Sequence, residues 1–430
     1  MRVLMFGWEF PPHIAGGLGT ACFGLTKGMM KQGMEVIFVV PKAYGDESQE
    51  AIRLVNASDV EIDLRYTKLN ESSNLLTFIE VNSTLIPYVG EAEYYELLNR
   101  EEKTSTLTGQ TLYSRRYEFT GKYGVNLMEE VARYAIVAGT IAEKESFDVI
   151  HAHDWLTYPA GIAAKQVSGK PLVVHVHATE FDRSGQNVNK VVFDIERSGM
   201  QAADVVVTVS NLTRQIVIEK YGINPDKVVT VHNAVEPTVE TEKENYPRYI
   251  DQKVVTFLGR VTFQKGPEYF VEAAYKVLQR DPNVHFVLAG DGDMMPKVIR
   301  RVAKLRIGDR FHFTGFLRGK EVDKMFELSD VYVMPSVSEP FGISPLEAIR
   351  SNVPVVISKQ SGVAEILTHA LKVDFWDVEA MADAIWGLLH YDALPKMFQR
   401  HGKSEVDNLL WENAAFKLKD IYNTLVNKQQ

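Results

Sequence analysis

Two doubly wound parallel sheets in one α/β chain are what this sequence predicts, and three observations carry the prediction. Short apolar strand segments alternate with helical ones along most of the chain, a grammar that builds right-handed β-α-β units. That grammar breaks over residues 236–253, a polar stretch with Pro237, Pro247 and the acidic run 240–244, and then starts again. A chain of 430 residues also exceeds one ordinary core. The expected division is an N-terminal domain over 1–235 with an insertion near 44–126, a linker over 236–253 and a second domain over 254–405. A closing helical segment, 406–430, is expected to pack back on the N-terminal domain.

Taken in order, residues 3–6 are an apolar strand that ends in Gly7-Trp8-Glu9-Phe10-Pro11-Pro12. Gly16-Gly17-Leu18-Gly19 then opens a helix through Phe23, Leu25, Met29 and Met30, with Gly33 as its stop. The glycines let a ligand approach the backbone, but the spacing is not the dinucleotide fingerprint. A second strand covers 36–40. From Tyr44 the pattern loosens: alternation at 60–64 and 76–81 reads as extra strands, and a polar, tyrosine-rich run over 88–123 as an irregular insertion. Arg115-Arg116 reads as a solvated face. Strands return at 147–150, 171–177, 204–210 and 228–234, and after the linker at 254–260, 284–290, 311–315, 331–335 and 353–358. Helices are expected over 321–328, 378–390 and 411–425.

Composition excludes several classes. The chain is 45% hydrophobic and 24% charged with net charge −9, which argues against a nucleic-acid partner. Cys22 is the only cysteine, so no intrachain disulfide can form and nothing points to an oxidising compartment. No apolar run reaches membrane-spanning length and no signal-peptide core precedes the first strand, which makes the cytoplasm the default location.

Chemistry-bearing residues fall where strands end. His153-Asp154-Trp155 closes one strand, and His175, His177 and a carboxylate-bearing segment close another, so both groups share the edge where open α/β sheets bind ligands. Zinc is the rival reading for His153, His175 and His177, but their strand spacing offers no helical pair, and His175 reads as a core residue. In the second half, Arg260 and Lys265 flank a turn at Gly266 that opens a helix, two cations suited to a diphosphate. Asp291-Gly292-Asp293 could clamp a divalent metal and reads more simply as a turn. From Val331 the chain runs strand, Pro335, a Pro340-Phe341-Gly342 turn, and a helix near Pro345. Amides of Gly342, Ile343 and Ser344 can bind an anion there, while Glu339 and Glu347 on either side suit hydroxyls. For that pair alone, a turn cap and a solvated helix residue is the plainer reading.

Together, Gly16-Gly17-Leu18, His153-Asp154-Trp155, His177, Gly259-Arg260, Gln264-Lys265-Gly266, Ala289-Gly290-Asp291-Gly292 and Glu339-Pro340-Phe341-Gly342 with Glu347 resemble the retaining nucleotide-sugar glycosyltransferases of GT-B fold. Within them the chain is most similar to glycogen and starch synthases. The resemblance implies two Rossmann-like domains facing across a cleft. It implies catalytic roles for Asp154, His177, Arg260, Lys265 and Glu339, with His177 and Asp154 at the glucose and the two cations on the leaving diphosphate. Substrate-binding roles fall to Gly16, Gly17, Leu18, His153, Asn233, Gly290, Phe341, Gly342, Ile343, Ser344 and Glu347. The implied reaction moves glucose from a nucleotide diphosphate glucose to the end of an α-1,4-glucan, with no cofactor and no metal. Ile14 replaces the lysine of bacterial synthases, and Glu347 is kept where they lack it, so UDP-glucose and ADP-glucose both stay open as donors. Alternatives are transfer to a surface polysaccharide or glycolipid acceptor and, in another class, nucleotide-sugar epimerisation. A sugar acceptor, no nucleic acid and no stable membrane insertion complete the expectation; the oligomeric state stays open.

Overall fold

The computed structural model describes residues 1–12, 17–47, 52–61, 116–124, 126–235 and 251–428. The chain divides into two units. The first comprises Met1–Phe181, Gln186–Ala234 and Trp411–Gln430, the second Asp182–Gly185 and Val235–Leu410.

The first unit holds a parallel sheet of β1 (Arg2–Phe6), β2 (Glu35–Val40), β3 (Arg53–Asn56), β4 (Val149–His153), β5 (Leu172–Val176), β6 (Val205–Thr208) and β7 (Val228–Thr230). Their order is β3-β2-β1-β4-β5-β6-β7. The second unit holds β8 (Val254–Leu258), β9 (His285–Ala289), β10 (Phe311–Gly315), β11 (Val331–Met334), β12 (Val355–Ser358) and β13 (Leu371–Val373), ordered β10-β9-β8-β11-β12-β13. Both orders reverse once, between β1 and β4 and between β8 and β11. At such a switch point neighbouring connections leave on opposite faces and open a crevice at the strands' C-terminal ends.

Central strands β1, β4, β5 and β11 are apolar and buried along almost their whole length because helices cover both faces. In the first unit the helix Trp411–Asn427 crosses the helix Gly17–Lys31 at close range. A Cβ on Gly24 would lie 2.2 Å from Trp411 Nε1, and one on Gly28 would lie 2.6 Å from the Trp411 carbonyl oxygen. Two glycines a helical turn apart therefore form the groove that receives Trp411. Lys419 Nζ donates to the Gln32 carbonyl at 2.7 Å, and Tyr422 reaches His151 on β4.

Some expectations need correction. Strand β3 lies at Arg53–Asn56, where none was expected, and of the expected strand at 60–64 the described Val60 and Glu61 instead follow a single turn of 3-10 helix, Ala57–Asp59, while residues 62–64 lie outside the described residues. A four-residue edge strand with a polar residue at each end carries little periodicity. The strand β13 and the helix Ala393–Asp407 were not anticipated either. The expected strand at 76–81, Ile14, Gly16, Arg115, most of the insertion and residues 236–250 of the linker lie outside the described residues. Among the described residues no helix is long and apolar enough to cross a membrane.

Candidate active site

At the switch point of the second sheet three loops are stapled together. The loop after β8 makes one turn of 3-10 helix, Phe263–Lys265, and reverses at Gly266 with φ 63°, after which Pro267 opens the helix Pro267–Arg280. A Cβ on Gly266 would sit 2.2 Å from the Pro335 carbonyl oxygen, so only glycine lets this loop press on the one after β11. Val337 N donates to Gln264 O at 2.9 Å. Glu339 N donates to Gln360 O, and Gly362 N donates to Glu339 O, each at 2.9 Å, which ties the same loop to the one after β12.

These bonds fix Glu339, whose carboxylate is buried. Its Oε2 accepts from Lys265 Nζ at 2.5 Å and from Ser336 Oγ at 3.2 Å. Ser336 is fully buried and was missed by sequence reasoning, although a serine three residues ahead of a glutamate within a turn could have prompted it. Gly342 (φ 98°) then turns the chain into the helix Ser344–Arg350, with Pro345 in its first turn. Glu347, half-buried on that helix, has no hydrogen-bond donor to its carboxylate among the described residues. Burial pushes its carboxyl above the usual carboxylate range, Arg350 pulls it back and Asp323 adds to the rise. Under the loops Tyr332 donates its hydroxyl to the Leu258 carbonyl at 3.3 Å, bridging β11 to β8.

Arg260 stands half-buried just past β8. Gly290, at the end of β9, approaches that turn so closely that a Cβ would lie 1.8 Å from the Gly259 carbonyl oxygen. Asp291-Gly292-Asp293 is a turn in which Asp291 Oδ1 accepts from Gly292 N at 2.7 Å. Phe341 is buried, and Ile343 and Ser344 are half-buried at the helix start.

In the first unit, β4 and β5 are parallel neighbours with His153 opposite His175. Asp154 follows at φ 64°, a left-handed conformation that a non-glycine residue adopts at a cost, and it is 2% exposed. Its amide donates to His175 O at 2.9 Å, and the Thr157 hydroxyl, donating to His153 O at 2.8 Å, locks the turn. His153 Nδ1 lies 2.9 Å from His177 Nε2. Burial holds both rings neutral, lowering His177 to about 3. Asp154, His153 and His177 thus share one edge. Asn233 is buried just beyond β7, two strands from β5 in the sheet order. Gly17 and Leu18 begin the helix after β1, where the buried Glu9 accepts from Gly19 N at 3.1 Å.

Residues 238–405 match the family Glycosyl transferases group 1, and residues 115–239 match Glycosyltransferase Family 4. The chain is 28% identical to an uncharacterised glycosyltransferase of Methanocaldococcus jannaschii, covering 98% of each. It is 22% identical to the glycogen synthase of Mycobacterium tuberculosis, covering 98% of this chain and 94% of that one. Among solved structures, sucrose-phosphate synthase from Thermosynechococcus elongatus superimposes with a TM-score of 0.72 at 17% identity over 99% of both chains. With those two matches lying end to end and each half wound on its own parallel sheet, the chain is a glycosyltransferase of GT-B fold whose residues 238–405 belong to group 1.

Proposed function

We propose that the protein is a retaining hexosyltransferase that moves glucose from a nucleotide diphosphate glucose to the end of an α-1,4-glucan, with no metal or cofactor in the reaction. The observation that carries the proposal is the grouping on the second sheet's edge of Lys265, Glu339 and Ser336 beside the turn at Gly342 and Glu347, whose carboxylate has no hydrogen-bond donor among the described residues. A cation next to a buried carboxylate that can exchange it for hydroxyl donors suits a charged diphosphate joined to a neutral sugar.

In this reading Lys265 and Arg260 take up the charge that develops on the diphosphate as the bond from glucose C1 to the β-phosphate oxygen breaks. The new bond joins C1 to an acceptor hydroxyl, whose proton passes to the departing phosphate oxygen. Glu339 accepts hydroxyls of the glucose, the amides of Gly342, Ile343 and Ser344 take phosphate oxygens, and Glu347 accepts a ribose hydroxyl. Asp154, His153 and His177 are assigned to further hexose hydroxyls; a neutral imidazole both donates and accepts. The similarity to a glycogen synthase supports glucan as acceptor. A cytoplasmic location fits that substrate.

Product analysis after incubation with UDP-glucose, ADP-glucose and GDP-mannose, with and without glycogen, tests it. Glucose incorporated into glycogen from one of the first two donors is the expected result. Incorporation only from GDP-mannose, or isomerised sugar without transfer, would overturn it.

A further inference from the structure

Of the chain's five tryptophans Trp376 alone is exposed, at 58%, in the turn that follows β13. One exposed apolar side chain needs no explanation by itself, but this one is held in place from several directions. Asp377 N donates to Asp374 O and Val378 N donates to Trp376 O, each at 3.0 Å, which closes the turn. The Asp377 carboxylate then caps the helix Val378–His390 by accepting from Ala380 N at 3.0 Å. Phe375 stands edge-on to the indole with ring centroids 4.8 Å apart, and Tyr269 backs Phe375 at 5.1 Å. Asp374 accepts from Lys359 Nζ and from Gln360 Nε2, each at 2.9 Å.

The turn is fastened to the loops that carry Lys265 and Glu339. Gln360, whose side chain holds Asp374, accepts the Glu339 amide through its own carbonyl. Tyr269 lies in the first turn of the helix Pro267–Arg280, where its ring would meet a Cβ on Gly266 at 3.1 Å. In the sheet order β13 is two places from β11, about 10 Å at the ordinary strand spacing.

We propose that Trp376 is a platform for the polymeric acceptor, one hexose of the glucan stacking on the indole at a distance from the reaction centre. The inference rests on the glucan reading above and gives that acceptor a second point of attachment. A pyranose presents an apolar face of C–H groups ringed by hydroxyls. The indole takes such a face, and Lys359, Gln360, Asp374 and Asp377 border it with donors and acceptors for the hydroxyls. Size selects a sugar over a protein: with Phe375 and Tyr269 half-buried, the apolar surface is one indole wide, far below the roughly 1,000 Å² of a stable protein interface. Charge selects against a bilayer, because Asp374 and Asp377 in the turn are ill matched to anionic lipid. A short acceptor reaches the reaction centre alone, whereas a long glucan reaches both points and gains from holding the two at once.

Native electrophoresis through gels containing glycogen, without donor, and kinetics with glycogen or maltotriose as acceptor test the platform. Trp376→Ala should raise the apparent dissociation constant for glycogen in the gel, and KM for glycogen, by about tenfold. Trp376→Tyr keeps an aromatic face and should retain most of the binding. KM for the nucleotide sugar and kcat/KM for maltotriose should stay at the parent values in both variants. A parent chain that glycogen does not retard overturns the proposal, and so does retardation unchanged in Trp376→Ala. A raised donor KM would put the nucleotide on the indole instead, and an equal loss with maltotriose would put Trp376 at the reaction centre; either overturns it. Retardation lost in Trp376→Ala while the parent transfers no glucose to glycogen supports the platform and overturns the transfer reaction proposed above.

Discussion

Lys265 Nζ lies 2.5 Å from Glu339 Oε2, and both side chains are largely withdrawn from solvent at the edge of the second sheet. Among the described residues the carboxylate's one further hydrogen-bond partner is Ser336 Oγ in the same loop, so the pair costs desolvation with little structural return. In the proposed reaction the lysine exchanges this carboxylate for a diphosphate and the carboxylate exchanges the lysine for sugar hydroxyls. Lys265→Met and Glu339→Gln should therefore each reduce turnover by a factor on the order of 10² or more. Each single change also leaves a buried charge unpaired and should cost about 3 kcal/mol in urea unfolding, whereas the double variant should recover most of that stability and none of the activity. Recovery of both together would make the pair a structural bridge. Arg260→Ala should match the loss in turnover.

Glu347 separates ground-state binding from chemistry. Its carboxyl is held above the ordinary range by burial and lacks a donor among the described residues, a state that a ribose hydroxyl would relieve. A hydrogen bond to a charged group contributes about 1.5–3 kcal/mol, so Glu347→Ala should raise KM for the donor by roughly 10- to 100-fold. Because the ribose does not change charge in the reaction, kcat should fall far less. An equal fall in kcat with KM unchanged would remove Glu347 from the donor.

The four neighbouring histidines at the ends of β4 and β5, His151, His153, His175 and His177, make the first unit sensitive to acid. Burial lowers His151, His153 and His175 well below the ordinary 6.5, and lowers His177 to about 3. In the folded state these rings stay neutral, while the unfolded chain takes up their protons below pH 6.5. Stability is thus full above 6.5 and is lost as pH falls toward 3, by about 1.4 kcal/mol per pH unit for each ring. The protein should show a urea midpoint that drops steeply between pH 6.5 and pH 5, and His177→Gln should flatten the slope by about one proton's worth. A midpoint independent of pH in that window would contradict the burial.

How far the sequence reaches is visible in these sites. Long apolar strands such as β4, β5 and β11 are buried on both faces and announce themselves by composition, and the residues that end them follow by counting. The positions of Arg260, Lys265 and Glu339 in the loops after β8 and β11 were legible for that reason. Ser336 was not: its value lies in a contact with Glu339 that the turn geometry creates. The fourfold histidine array was half legible, because alternation gives each strand's pair, but only the β4–β5 register sets His153 opposite His175. His151 was passed over because the helix that meets it, Trp411–Asn427, is 271 residues away from it at the contact with Tyr422. Strand β3 and the Asp154 left-handed turn leave no periodic trace at all.

Two glycines in one helix should respond to alanine with opposite signs. Gly28 faces the backbone of Trp411, where a Cβ would come 2.6 Å from a carbonyl oxygen that cannot swing aside as a side chain could. Gly28→Ala must therefore push the helix Trp411–Asn427 off its seat, with an overpacking cost of about 1–3 kcal/mol. Gly17, at the start of the same helix Gly17–Lys31, has nothing of the described residues within 4 Å of a Cβ position. There alanine lowers only the entropy of the unfolded chain and improves helix propensity, a gain of about 0.5–1 kcal/mol. Thermal unfolding reads both changes, since 1 kcal/mol moves the midpoint by roughly 2–4 °C in a domain of this size. If Gly28→Ala melted at or above the parent temperature, the close seat of Trp411 against this helix would be wrong, and with it the placement of Tyr422 beside His151.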